Sequence, residues 1–325
     1  MKGFEDQASR SDDIETWWNC FNCELDDNQF YNGNAAVYVP LIRDAVNARA
    51  TRFVNQLFPA SGRYIDCTAS DGGQPYEILA LLNHYVEAAK LKTQIVKPLL
   101  RTGDIEGQYN LYVEWNEVER QLVERRSHGV LIEHNGEHVE ADGEEIEDIE
   151  EEDVVEGRPA FEVLHDSDVL IQPASADSVE DALARGGSVT IVRRLSEDQV
   201  DKMADDKEIR RDELDDIENS MYSDPNMPGL ADTTKQLIRA VGIKSKGKHA
   251  ILFETWTLLP LDDGGKFSED GTKCLCRVWF GVGRQILGAK RNPYWNDRCP
   301  LLSVPVEKIP GSAKGKSQVE ALAPL

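Results

Sequence analysis

The chain has 325 residues and a formal net charge of −23, from 59 acidic and 36 basic side chains. A surface this negative repels phosphate and gains little from counterion release, which disfavours a conventional nucleic-acid-binding module. No segment approaches the roughly 18 apolar residues of a membrane span, and the acidic start, MKGFEDQASRSDDIE, does not have the pattern of a secretory signal. We therefore expect a protein that is made in the cytosol, with its six cysteines as reduced thiols.

Helical periodicity dominates the first hundred residues. The spacing predicts a short amphipathic helix near the N-terminus, docked by its tryptophans. A second helix starts at Pro40, which suits a first helical turn, and ends near Phe58. A third covers 76–96, where Pro98 closes or kinks it. The predicted apolar faces are Ile14, Trp17, Trp18 and Phe21; Ile42, Val46, Ala50, Phe53 and Leu57; and Ile78, Leu82, Tyr85, Ala89 and Ile95.

Strand signals follow the third helix. The stretch GQYNLYVEW comes after a Gly103–Gly107 turn and alternates apolar with other residues, which predicts a strand. Its apolar face is Tyr109, Leu111, Val113 and Trp115. The Asn135-Gly136 pair is typical of a hairpin turn. The acidic run EHVEADGEEIEDIEEEDVVE, residues 137–156, repels itself, so we expect an extended or disordered loop between paired strands.

Capped helices and short strands are predicted beyond the acidic run. Ser178 is a natural N-cap, with Gly186 as the start of a glycine stop signal. Ser196 and Gln199 form a capping-box pattern at the start of a highly charged helix. We expect strands within 161–173 and 189–192, a helix over 178–184, a charged helix from 196, and a strand hairpin over 250–280.

The last 45 residues, GVGRQILGAKRNPYWNDRCPLLSVPVEKIPGSAKGKSQVEALAPL, carry the strongest structural signals. They predict a strand over 284–287, a turn at Asn292-Pro293-Tyr294-Trp295 and a second strand over 301–304. A Pro310-Gly311 break follows, and a helix begins near Ser317.

This stretch resembles the portal (head-to-tail connector) proteins of tailed bacteriophages, particularly the short-tailed kind. In that family, a "G-x-x-iL-x-x-x-x-NPY…P" segment leads through a Pro/Gly loop into a "G-x-S-x-x-e-x-L" helix. Upstream segments resemble the family in the same order. The matching residues are Asn34, Val39, Pro40, Leu41, Ile42, Ala45 and Val46; Leu57-Phe58-Pro59; Val113-Glu114-Trp115; and Asp168, Val169, Pro173, Ser175 and Arg193.

The resemblance implies an α+β, portal-like protomer in a ring-shaped channel at one capsid vertex, with twelve copies in the family. It implies a structural protein without enzymatic activity or cofactor, located in the virion and serving DNA packaging, DNA ejection and tail attachment. Its partners would be copies of itself, the terminase motor, the major capsid and scaffolding proteins, the tail adaptor and double-stranded DNA, but no membrane.

The same resemblance divides the chain into four regions. Portal proteins are longer, so we expect this chain to correspond to an N-terminal portion that stops at the stem helix. The regions are a wing over 1–195 with the acidic loop 137–156, a charged helix and stem approach over 196–249, a strand-rich clip-like region over 250–312, and the start of a stem helix over 313–325.

Two other functional classes stay open. The histidine and carboxylate cluster from His128 to Glu144 could form a metal-dependent enzyme acting on DNA. The acidic run could instead make the chain an adaptor or scaffold for a basic partner. A zinc site from Cys20, Cys23, Cys274 and Cys276 is disfavoured, because the pairs are far apart in sequence, and no phosphate-binding loop motif is present.

Basic residues in the second half of the chain are few. Lys290 and Arg291 are adjacent and follow the predicted strand at 284–287. Cations at such a position can contact DNA phosphates, although solvated lysines near loops are common. We predict these two residues as candidate DNA contacts.

Overall fold

The structure is a computed structural model of the chain. It describes residues 2–24, 40–58, 64–68, 75–134, 137–210, 250–262, 265–268, 271–281, 285–294 and 296–322, without the side chains of 2–9, 118–156 and 197. It contains both helices and antiparallel sheets, which confirms the α+β class. Among the described residues, no helix is long and apolar enough to cross a membrane.

Four helices precede the first strand. They are α1 (Lys2–Asn22), α2 (Leu41–Leu57), α3 (Tyr76–Ala88) and, after a π-helical turn (Leu91–Val96), α4 (Lys97–Glu106). Ile14, Trp17 and Phe21 of α1 are buried, as their spacing predicts. In α2 the buried residues are Val46, Ala50 and Val54, whereas two residues of the predicted face, Phe53 and Leu57, are exposed.

The third helix differs from its prediction. Helical backbone continues past Val96 to Glu106. Pro98 lies in the first turn of α4, a position where the lack of a backbone N–H costs no intrahelical hydrogen bond. Gly103 is therefore helical. Only Gly107, with φ of +85°, turns the chain into the next strand.

The remaining elements alternate strands and short helices. They are β1 (Gln108–His134), β2 (Glu137–Leu164), a 3₁₀ turn (Asp166–Asp168), β3 (Val169–Gln172), α5 (Val179–Ala184), β4 (Ser188–Leu195), α6 (Glu197–Asp205), β5 (Ala250–Leu259), β6 (Cys274–Gly281), β7 (Ile286–Arg291), β8 (Leu301–Pro305) and α7 (Gln318–Leu322).

The local signals of the sequence place several of these elements correctly. The Ser178 side chain caps α5, and Ser196 and Gln199 form the predicted capping box of α6. The predicted hairpin is β5 with β6, and the predicted helix near Ser317 is α7. The charged helix ends at Asp205, and the part of its prediction beyond Arg210 lies outside the described residues.

The acidic run is a strand and not a loop. Residues 137–156 belong to β2, which is the neighbour of β1 in a sheet. The expectation of a loop is wrong, because the extended backbone that charge repulsion favours can also pair in a strand ladder. The predicted turn at Asn135-Gly136 lies outside the described residues.

Two antiparallel sheets organise the chain. The five-stranded sheet has the order β3-β4-β5-β6-β7, and the three-stranded sheet has the order β2-β1-β8. The larger sheet thus joins strands from the predicted wing range, 1–195, with strands from the predicted clip range, 250–312. The chain forms two compact units, residues 114–160 as one and residues 1–113 with 161–325 as the other. The wing, stem and clip assignments stay predictions.

Candidate functional site: a buried ionic junction before helix α7

The residues that precede α7 form a densely bonded, buried polar site. The loop between β8 and α7 carries Lys314, whose ammonium group binds the Asp166 carboxylate and, at 2.8 Å, the Val169 carbonyl oxygen. Arg10 of α1 donates from Nε to the same carboxylate at 2.5 Å. Asp166 is fully buried, so one carboxylate joins the N-terminal helix, the 3₁₀ turn and the loop before α7.

Arg10 also fixes two backbone segments. Its Nη2 donates to the Glu106 carbonyl oxygen at 2.9 Å and to the Gly315 carbonyl oxygen at 3.0 Å. The first acceptor is the last residue of α4, and the second lies three residues before α7. The guanidinium group therefore clamps the end of one helix to the approach of another.

The Glu106 carboxylate forms the second half of the junction. It is fully buried, and its Oε1 accepts hydrogen bonds from Trp18 Nε1 at 2.8 Å and lies 2.6 Å from His165 Nδ1. Its Oε2 accepts the Asp166 amide at 2.6 Å. Every oxygen of this buried carboxylate thus has a partner, as a buried charge requires.

The charges in the junction are balanced by their neighbours. Burial opposes ionisation of Asp166, but the Lys314 and Arg10 cations outweigh it and lower the pKa of this carboxyl. The hydrogen bond to Glu106 raises the pKa of His165, whose side chain is 55% exposed. Because these groups neutralise each other inside the protein, the geometry suits fixing segments in place more than transferring protons to a substrate.

The Gly-x-Ser motif has a clear local role here. A Cβ at Gly315 would lie 2.5 Å from the Gly107 carbonyl oxygen, so only glycine allows the two backbones to approach this closely. Ser317 Oγ donates to the Ile105 carbonyl oxygen at 2.5 Å and accepts the Val319 amide at 3.0 Å. The motif serine therefore caps α7 and ties it to α4.

Apolar packing completes the attachment of α7. Val319 is fully buried in a cluster with residues of α1, α2 and α4. The cluster consists of Ile14, Trp17, Phe21, Val46, Ile105 and Val319. The first turn of α7 is thus held by an ionic junction and by a hydrophobic cluster that both include the N-terminal helices.

A second buried polar cluster lies in the larger sheet. Glu254 of β5 accepts from Tyr112 Oη at 2.5 Å, from Trp256 Nε1 at 3.0 Å and from Arg193 Nε at 2.8 Å. The Arg193 guanidinium lies 4.4 Å from the centre of the Tyr112 ring, which favours a cation–π contact. Burial and the Glu254 carboxylate raise the pKa of Tyr112 well above its usual range. The cluster connects β1 to the sheet of β4 and β5.

The predicted DNA-contact residues lie away from these clusters in sequence and at the end of β7. Both are exposed, and Lys290 Nζ donates to the Asp206 carbonyl oxygen at 3.2 Å. Lys290 pairs across the sheet with Arg277, and Arg291 pairs with Cys276. A contact between these residues and DNA stays a prediction.

The predicted turn at Asn292 has a structural role. Its Oδ1 accepts the Tyr294 amide at 3.0 Å, and its Nδ2 donates to the Arg298 carbonyl oxygen at 3.1 Å. The Asn-Pro-Tyr segment thus closes the loop that leads from β7 toward β8 through an asparagine-specific turn.

The other candidates for chemistry do not assemble in the part of the chain that the structure describes. The six cysteines are free thiols, and Cys274 Sγ lies 3.5 Å from Cys276 Sγ on β6. No group of three or more His, Cys, Asp or Glu side chains among the described residues could hold a metal ion. The backbones of His128, His134 and His138 lie on β1 and β2, but their side chains are outside the described set.

Comparison with known proteins adds no assignment. No protein-family model matches the chain, and no curated protein matches it. The resemblance to portal proteins therefore depends on the sequence motifs and on the local roles of their residues.

Proposed function

We propose that this chain is a structural subunit of a bacteriophage portal, in the ring-shaped channel through which DNA is packaged and ejected and to which the tail attaches. The observation that carries the proposal is the attachment of α7, the helix that the resemblance assigns to the start of the stem. Its Gly-x-Ser motif, the buried Asp166 junction and the Val319 cluster connect this helix to the N-terminal helices. Such an attachment suits a helix that must transmit force between parts of a subunit.

The charge of the chain supports the same function. Subunits with a net charge of −23 that line a channel would repel the DNA duplex, and this repulsion would lower the barrier to sliding. Salt weakens this repulsion over a Debye length of about 10 Å at ~0.1 M ionic strength. Subunits of this kind close a ring through heterologous contacts, in which one face of a subunit meets a different face of the next.

Negative-stain imaging and analytical sedimentation of the protein test the proposal. We expect closed rings with a central channel. A discrete monomer under assembly conditions would overturn the proposal. Elemental analysis for zinc and calcium together with a nuclease assay on the same preparation tests the alternative of a metal-dependent enzyme, and both should be negative.

A further inference from the structure

Cys274 and Cys276 of β6 bring two thiols together on one face of the larger sheet. Side chains two residues apart on a strand project from the same side, and here the two Sγ atoms lie 3.5 Å apart. Cys276 is fully buried, whereas Cys274 is half-buried. The pair is therefore enclosed by the protein but accessible to a small ion from the Cys274 side.

Backbone carbonyl oxygens surround this thiol pair. The Leu259 oxygen lies 3.4 Å from Cys274 Sγ and 3.7 Å from Cys276 Sγ, so both thiols face one acceptor. The Leu261 oxygen lies 3.5 Å from Cys274 Sγ, and the Cys274 oxygen lies 3.4 Å from Cys276 Sγ. Three partially negative oxygens thus face two thiols that have one proton each. Such surroundings favour a cation between the two sulfurs.

A disulfide fits this strand less well than an ion that bridges the sulfurs. Two residues of extended strand separate the Cα atoms by about 6.6 Å, near the upper limit for disulfides, most of which have about 5.5–6 Å. Closing the bond would therefore contract β6 at the position where Cys274 pairs with Leu259 of β5. An ion between the sulfurs leaves the strand extended.

The ligands available to such an ion select its chemistry. Soft thiolates favour copper(I) and zinc. Structural zinc takes four ligands, and the described residues offer no group of three or more His, Cys, Asp or Glu side chains that could hold a metal. Copper(I) is satisfied by two thiolates, with which it carries one net negative charge. Arg291, the cross-strand partner of Cys276, places a positive charge near this complex.

We propose that Cys274 and Cys276 form a binding site for copper(I), a property that goes beyond the proposed portal function. The two sulfurs are the ligands, and the Leu259 carbonyl oxygen faces the bound ion. Copper stays monovalent, and the thiol protons that it displaces go to solvent. Burial and the hydrogen bond with Cys274 raise the pKa of Cys276 to about 12, so this thiol is protonated at neutral pH. Binding must displace that proton, so the affinity for copper(I) increases with pH.

Titration of the reduced protein with copper(I), without oxygen and in competition with bicinchoninate, tests the site. We expect Cys274→Ser to bind one copper(I) fewer than wild type. Cys67→Ser removes another half-buried thiol, so it is the matched control and should bind copper(I) as wild type does. Wild-type affinity should rise at least about tenfold per pH unit near neutral pH, because each ion displaces at least one proton. Equal binding by wild type and Cys274→Ser would overturn the proposal.

Two measurements on wild type do not depend on the folding of a variant. X-ray absorption of the loaded protein should show copper(I) with sulfur neighbours. Saturating copper(I) should slow alkylation of Cys274 at least about tenfold in peptide mass spectrometry, because a metal-bound thiolate is no longer a free nucleophile. Alkylation of Cys274 at the same rate with and without copper(I), or an affinity that does not change with pH, would contradict the site. These outcomes leave the portal proposal intact, since imaging and sedimentation test it separately.

Discussion

The buried carboxylate of Asp166 gives the sharpest test of the ionic junction. Asp166→Asn keeps the size of the side chain but removes the negative charge between Arg10 and Lys314. Both cations then remain in the interior, where Lys314 is bonded to Asp166 and to a backbone carbonyl oxygen. The amide group of asparagine also places a donor next to cationic donors, so part of the hydrogen bonding is lost as well.

The expected loss follows from burial. Removing one partner of a buried ion pair costs about 3–5 kcal/mol, whereas exposed pairs contribute at most ~1 kcal/mol. Asp166 is fully buried, and its two cationic partners are 18% and 16% exposed, so the larger value applies. We therefore expect Asp166→Asn to lower the free energy of unfolding by about 3–5 kcal/mol at neutral pH.

Urea denaturation followed by circular dichroism measures this loss. Asp181→Asn is the matched control, because it removes a carboxylate from an exposed i,i+4 pair with Arg185 and should change stability little. The Asp166 pKa lies below its usual value of 3.8, so its contribution is present above that pH and lost as the pH falls through the lowered pKa. The difference between variant and wild type should accordingly shrink at the most acidic pH values. A loss at neutral pH no larger than that of the control would refute the ionic junction as a stabilising element.

Three further changes test other parts of the site. Gly107→Ala should cost more than ~1 kcal/mol in urea denaturation, because φ is +85° and the new Cβ would lie 2.7 Å from a carbonyl oxygen. Tyr112→Phe should cost about 1.5–3 kcal/mol, since it removes the buried donor to Glu254, and an unchanged denaturation midpoint would contradict that role. The pKa of His165 is raised above its usual value of 6.5, so protonated His165 stabilises the fold fully below pH 6.5. This stabilisation is lost as the pH rises through the raised pKa. His165→Gln should therefore flatten the pH dependence of stability in that range.

The elements that the sequence predicts well are those with local signals. The caps at Ser178 and Ser196 depend on a side chain and an amide three residues later, so their pattern is visible in a short window. The β5–β6 hairpin joins strands that are neighbours in sequence. Helix α7 is predictable because Ser317 follows a Pro-Gly break.

The ionic junction could not be predicted in this way. Lys314 is 148 residues from Asp166, and Arg10 is 156 residues from it. Among 59 acidic residues, no local pattern distinguishes the two carboxylates that folding buries. The only signal near the site was the Gly-x-Ser motif, which marks the close backbone approach but not its ionic partners.

The hydrophobic pattern of β1 does not predict which of its two faces is buried. Alternation correctly predicts a strand, but ordinary burial rules would place Tyr109 and Leu111 inside. The structure buries Gln108, Asn110 and Tyr112 instead. Periodicity specifies that two faces exist, and nonlocal hydrogen bonds decide which one is inside.

The ionic junction and the faces of the β1–β8 sheet depend on the same strand register. Asn110 joins the inner face of the β1–β8 sheet to Asp166, so the hydrogen bonds that hold this face inward end at the carboxylate that fixes the approach to α7. A slip that buried Leu302 and Val304 would remove polar partners from this carboxylate and its surroundings. The cost of orphaning buried polar groups, about 1–3 kcal/mol for each, exceeds the roughly 1 kcal/mol gained by burying the exposed half of an aliphatic side chain. The hydrogen bonds that anchor α7 therefore also keep Leu302 and Val304 on the exposed face of the β1–β8 sheet.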